Sequence, residues 1–159
     1  MNHSLKVGFS FGLTSGIITT LGLIVGLDSS TKSKMVVIGG ILTIAIADAF
    51  SDALGMHISQ ESERNHTTKE VWEATVSTFL AKLLFALTFL VPVLLLNLST
   101  AVIASIVWGL LVLGFISYRM AKAQKERPLN VIGEHLFIAT MVIIITHYVG
   151  DIIGMLFGG

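Results

Sequence analysis

LLFALTFLVPVLLLNLSTAVIASIVWGLLVLGFISY, residues 83–118, runs for 36 positions without a charged side chain. As one straight helix it would measure roughly 54 Å at about 1.5 Å per residue, against a hydrocarbon core of roughly 30 Å. One crossing cannot hold it, so the run must be a hairpin of two membrane helices. The polar break Asn97-Leu98-Ser99-Thr100 is where the chain can turn, and Pro92, a turn earlier, is a kink that a membrane helix tolerates. The arm 83–96 is too short to span alone. The third span therefore starts near Ala74 and carries Lys82 into the membrane.

The remaining chain follows the same logic. Residues 7–27 hold no charge and form a first span; a cleaved leader is the competing reading, but the run outlasts an h-region and lacks an A-x-A-like site. After the polar turn 28–34 comes a second span, 35–58, interrupted by Asp48 and Asp52. A charge-dense connection, 60–73, holds Glu61, Glu63, Arg64, His66, Lys69, Glu70 and Glu73. Spans follow at 74–96, 101–120 and 131–157, the last two joined by a basic stretch with Arg119, Lys122, Lys125 and Arg127 that ends at Pro128. The expected architecture is all-α: a polytopic membrane protein with five transmembrane helices in a single domain, 1–159.

Composition agrees. Of 159 residues 53% are apolar and 13% charged, with mean hydropathy +0.85, whereas soluble domains carry about 25% charged residues. Net charge is zero, which gives no basic field for nucleic acid. Without cysteine there is no disulfide or thiolate chemistry, so any metal ligands must be oxygen, imidazole or thioether. With the N-terminus cytoplasmic, the inner segments collect Lys6, Arg64, Lys69, Arg119, Lys122, Lys125 and Arg127 against Lys32 and Lys34 outside. The positive-inside rule thus predicts N-in and C-out. Which membrane hosts the chain is not encoded here.

Five ionisable residues well inside these spans are the intramembrane candidates: Asp48, Asp52, Lys82, His147 and Asp151. A carboxylate at mid-bilayer costs roughly 2.5 to 3.5 kcal/mol on insertion scales, which marks such groups as functional candidates unless a partner explains them. Asp48 and Asp52 are four apart, on one helix face about 6 Å apart along the axis, and His147 and Asp151 repeat the spacing. Depth counting allows one polar cluster of all five. Carboxylates with an imidazole suit Mn²⁺ or Fe²⁺, and the same groups can carry protons. The metal ligands expected on this reading are Asp48, Asp52, His147 and Asp151. On the alternative, Lys82 neutralises an aspartate and the other groups bond to Thr14, Ser15, Thr19, Thr43 or Thr146. Glu63, His66 and Glu70 could share a face and capture a cation at the cytoplasmic surface, or be a solvated connection. Gly8, Gly12 and Gly16 line one face of the first helix, either for packing within the subunit or for a homodimer seam; Gly150 and Gly154 repeat the motif.

The order of features resembles the vacuolar iron transporter (VIT) family. Gly8-Phe9-Ser10-Phe11-Gly12-Leu13-Thr14 is similar to the family's G-x-S-D-G-L-T. Ser51, Leu54-Gly55 and Glu61-Ser62-Glu63 resemble its A-x-S-M-G-x-G-x-Y-x-x-x-x-S-E. The family's first-helix aspartate falls on Phe11, its second-helix methionine on Asp52 and its earlier acidic residue near Ile44. The cytoplasmic metal-binding helices of its plant members are missing here, replaced by the stretch 60–73. The resemblance implies a homodimer in the bilayer that exports Fe²⁺ or Mn²⁺ from the cytoplasm against protons, with no resident cofactor. A non-transporting scaffold with structural intramembrane salt bridges is the alternative. An enzyme is not expected: there is no H-E-x-x-H and no glycine-rich phosphate loop.

Overall fold

The structure, a computed structural model, describes residues 3–63 and 65–157. Arg64, counted above among the inner cations, lies outside the described residues. The helices are α1 (His3–Thr31), α2 (Lys34–Ser62), α3 (Thr68–Thr88), α4 (Leu90–Leu95), α5 (Leu98–Gln124) and α6 (Pro128–Phe157). No strand occurs among the described residues. With α3 and α4 taken together, five helices are long and apolar enough to cross a membrane.

Helix ends follow local chemistry. Lys32, at φ 50°, ends α1, and the Ser33 hydroxyl accepts from the Val36 N–H to start α2. Residues 28–31, expected in a turn, instead stay helical. Thr67 opens α3 with a reciprocal capping box: its hydroxyl accepts from the Glu70 N–H, and the Glu70 carboxylate accepts from the Thr67 N–H. Together with the extension of α2 to Ser62, this cap reduces the expected 60–73 connection to residues 63–67. Asn97 caps α5 through the Thr100 N–H at 3.0 Å, confirming the hairpin break. Lys125, at φ 59°, closes α5, and Pro128 supplies the first turn of α6. Pro92 has no N–H for the Thr88 carbonyl, so the third span breaks at Phe89 between α3 and α4.

The bundle is organised around α1, which packs against α2, α3, α5 and α6. Its Leu13, Ile17, Leu21 and Ile24 are buried against Val37 and Ile41 of α2, Phe89, Val93 of α4 and Leu113 of α5. Glycine permits the closest approach. A Cβ at Gly8 would lie 2.2 Å from the Ala74 carbonyl oxygen, and one at Gly12 would lie 2.3 Å from that of Thr78. Thr78 and Ser77 donate across this seam to the carbonyls of Gly8 and Leu5. The glycine face of α1 is thus filled by α3 of the same subunit, which removes the idea of a homodimer seam along it. Gly150 meets the Gly26 carbonyl oxygen in the same way, tying α6 to the second half of α1. At the end where α2 begins, Lys34 donates to the Leu94 and Leu96 carbonyls. Outward faces of α2, α5 and α6 carry exposed Ile, Leu, Val and Phe, as lipid-facing surfaces require.

Candidate functional site

Asp48 stands midway along α2, and Asp52 projects one turn further on the same face. Opposite them α3 brings Lys82, 1% exposed. Its approach depends on glycine: a Cβ at Gly16 of α1 would lie 3.1 Å from the Lys82 carbonyl oxygen and 3.3 Å from its Cγ. The Lys82 Nζ lies 2.6 Å from Asp48 Oδ2 and in closer contact still with Asp52 Oδ2. It also donates to the Ser15 hydroxyl at 2.9 Å, and that hydroxyl donates to Asp52 Oδ2 at 2.6 Å. Three helices thus close one polar knot.

The two aspartates are held differently. Asp52 accepts aligned bonds from both Lys82 and Ser15. Asp48 Oδ2 is buried at the atom level without an aligned hydrogen bond, so its contact with Lys82 is coulombic. Two carboxylates face one ammonium, and with all three ionised the knot carries a net charge of −1. Of the other hydroxyls considered, Thr14, Thr19 and Thr146 donate to carbonyls of their own helices instead. Asp48 also borders an open groove of about 760 Å³ between α1 and α2, walled by Thr19, Leu23 and Leu27 on one side and Gly40 and Thr43 on the other.

His147 and Asp151 do not join this knot. His147 Nδ1 shares a hydrogen bond of 2.5 Å with the Ser29 hydroxyl, and its Nε2 lies 3.5 Å from Asp151 Oδ2. The pair sits where α1 ends, beside a shallow hollow of about 490 Å³ lined by Ser29, Ser30, Lys32 and Asp151. Among the described residues no three His, Asp or Glu side chains gather into one metal-binding group. The expected single cluster is therefore two stations, because α6 packs on the second half of α1 through Gly26 and Gly150 and cannot reach Asp48.

At the other end His66 Nε2 lies 3.1 Å from Glu63 Oε2. Glu70 is turned away into its cap, ahead of the lipid-crossing part of α3, where bonds from the Thr67 N–H and hydroxyl hold its carboxyl below the ordinary range. Glu63 and His66 meet, and Glu70 is separately engaged. Two histidine contacts were not anticipated. His135 Nδ1 bonds the buried Ser117 hydroxyl at 2.7 Å between α5 and α6, and His57 Nδ1 bonds Thr75 at 3.0 Å between α2 and α3. The available signal for His135 was its place, beside Glu134, within the fifth span 131–157.

Comparison with known proteins adds one finding. Residues 9–73 match the model of the VIT family, a stretch that takes in most of α1, all of α2 and the opening of α3, with Ser15, Asp48 and Asp52 inside it and Lys82 beyond. No curated protein matches the chain. Over that stretch the chain is similar to the VIT family, and its five apolar helices make it an integral membrane protein.

Proposed function

We propose that the protein transports a divalent metal cation, Fe²⁺ or Mn²⁺, out of the cytoplasm in exchange for protons, with Asp48 and Asp52 as the intramembrane cation seat. The observation that carries this reading is the excess of one carboxylate at mid-membrane. Charge left uncompensated in hydrocarbon is costly, and a travelling cation supplies the missing counter-charge. The VIT-family match over the helices that hold both aspartates supports it. Glu63 with His66 receives the ion from the cytoplasm, and His147 with Asp151 forms an outer station for release or proton return. The N-terminus is cytoplasmic and the C-terminus outside.

The working unit on this reading is a homodimer, with no nucleic acid and no catalytic step involved. Gly39, Thr43, Ala47, Ser51 and Gly55 recur every four residues on the exposed side of α2, and a Cβ at Gly39 or Gly55 would meet nothing within 4 Å. Small residues let membrane helices approach closely, so a second α2 fits there and roofs the groove beside Asp48.

The test is flux of Mn²⁺ into proteoliposomes of the whole chain. Asp52→Ala brings flux to background if the seat is real, and unchanged flux removes the seat. A second reading, a non-transporting scaffold, is favoured by one observation: Lys82 touches both aspartates. It expects no flux in the native chain, a folded Lys82→Met, Asp52→Asn double variant, and no cation that alters its melting temperature.

A further inference from the structure

Lys82 occupies the place where a cation would sit. Its Nζ is approached by Asp48 Oδ2, Asp52 Oδ2 and the Ser15 hydroxyl, a set of oxygens from two helices whose chemistry also suits a small dehydrated metal ion. No other lysine or arginine among the described residues pairs with either aspartate. An ion bound by both carboxylates would overlap an ammonium only 2.6 Å from one of them. The two occupants therefore exclude each other.

We propose that Lys82 is a tethered occupant of the seat, and that a cation binds only by displacing its ammonium on the flexible four-carbon stem. The inference rests on the reading of Asp48 and Asp52 as the seat, and it adds how that seat selects. A monovalent ion brings no more charge than the ammonium it removes, yet must still displace a buried group. A divalent ion brings the two carboxylates to neutrality. Lys82 thereby weakens the binding of every cation by one common factor, which leaves a divalent ion bound and puts the more weakly held monovalent ion out of range. Because the ammonium is tethered, its local concentration does not depend on the bulk, and the factor by which it weakens binding is constant.

The experiment measures Mn²⁺ binding to the purified full chain in lipid nanodiscs, from loss of the free aqua-ion signal in electron paramagnetic resonance, at one pH. Lys82→Met and Lys82→Gln should each bind Mn²⁺ at least about tenfold tighter than the native chain, a difference readily resolved in a dissociation constant. Excess Na⁺ should compete in both variants and not in the native chain, and Mn²⁺ should raise the melting temperature of both variants more than that of the native chain. Adding Asp52→Asn to Lys82→Met should abolish the gain. Equal affinity in native and Lys82 variants, with Asp52→Asn abolishing binding in all of them, overturns the role of Lys82 and leaves the seat standing. Absence of Mn²⁺ binding in every chain removes the seat and this inference with it. If both Lys82 variants fail to fold with or without Mn²⁺, the inference also falls, because a vacated seat should accept the ion.

Discussion

Gly12→Ala should damage the protein from a position that touches no charged group. The added Cβ would lie 2.3 Å from the Thr78 carbonyl oxygen and 3.0 Å from the Thr78 Cα and carbonyl carbon. These are backbone atoms that cannot rotate away. Restoring an ordinary contact of 3.4 Å requires the helices to part by about 1 Å (3.4 − 2.3), and a gap of that size forfeits roughly a quarter to a half of the dispersion energy of each contact it opens. Overpacking of this kind costs about 1–3 kcal/mol. The bonds from Thr78 to Gly8 and from Ser77 to Leu5 are stretched as well, each worth about 1 kcal/mol. One turn further along lies Gly16 against Lys82, so the parting also loosens the knot. Unfolding of the purified chain in mild detergent should show the loss, and Mn²⁺ flux should fall with it. Gly114→Ala is the control: nothing lies within 4 Å of its Cβ, and the subunit should gain up to about 1 kcal/mol of helix propensity. Equal stability of Gly12→Ala and the native chain would refute the α1–α3 packing described above.

Three further outcomes are expected. Asp48→Asn with Asp52→Asn strands the Lys82 ammonium in the interior and should cost about 3–5 kcal/mol, whereas adding Lys82→Met should recover most of it; thermal unfolding of the double and triple variants decides. Thr67→Ala should cost about 1 kcal/mol through loss of the cap; because the folded Glu70 carboxyl is held below its unfolded value of 4.5, the cap's contribution is present above that value and is lost as pH falls through the lowered one, which amide exchange at the start of α3 reads out. The chain has no cysteine, so a single His66→Cys should react with an impermeant maleimide from the cytoplasmic face only, and Ser30→Cys from the opposite face only; the reverse pattern removes the proposed orientation.

The hairpin was legible because hydrocarbon forbids charge: the gap between Lys82 and Arg119 demanded two crossings, and Asn97 was the polar residue able to cap the second. The pairing of Asp48 with Asp52 followed from helical spacing, and Lys82 was recognisable as a possible partner by depth. What could not be read was which helix neighbours which. In lipid the outward side of a helix is as apolar as the packed side, so hydrophobic periodicity does not report orientation about the bundle axis. His147 therefore looked available to Asp48, yet α6 turns it to Ser29. The glycines at 8, 12 and 16 announced a close approach without naming α3. The Thr67 and Glu70 spacing did carry a helix-start signal, but the density of charge in 60–73 masked it.

The central place of α1 has a consequence for biogenesis. Because α1 precedes both partners in the chain, it offers Ser15 and the carbonyls beside Gly8 and Gly12 to lipid until α3 emerges, and leaves Gly26 without its cover until α6 is made. Translation order and packing order therefore differ. A chain halted after α5 would lack the helix that meets Gly26 and would leave that half of α1 uncovered.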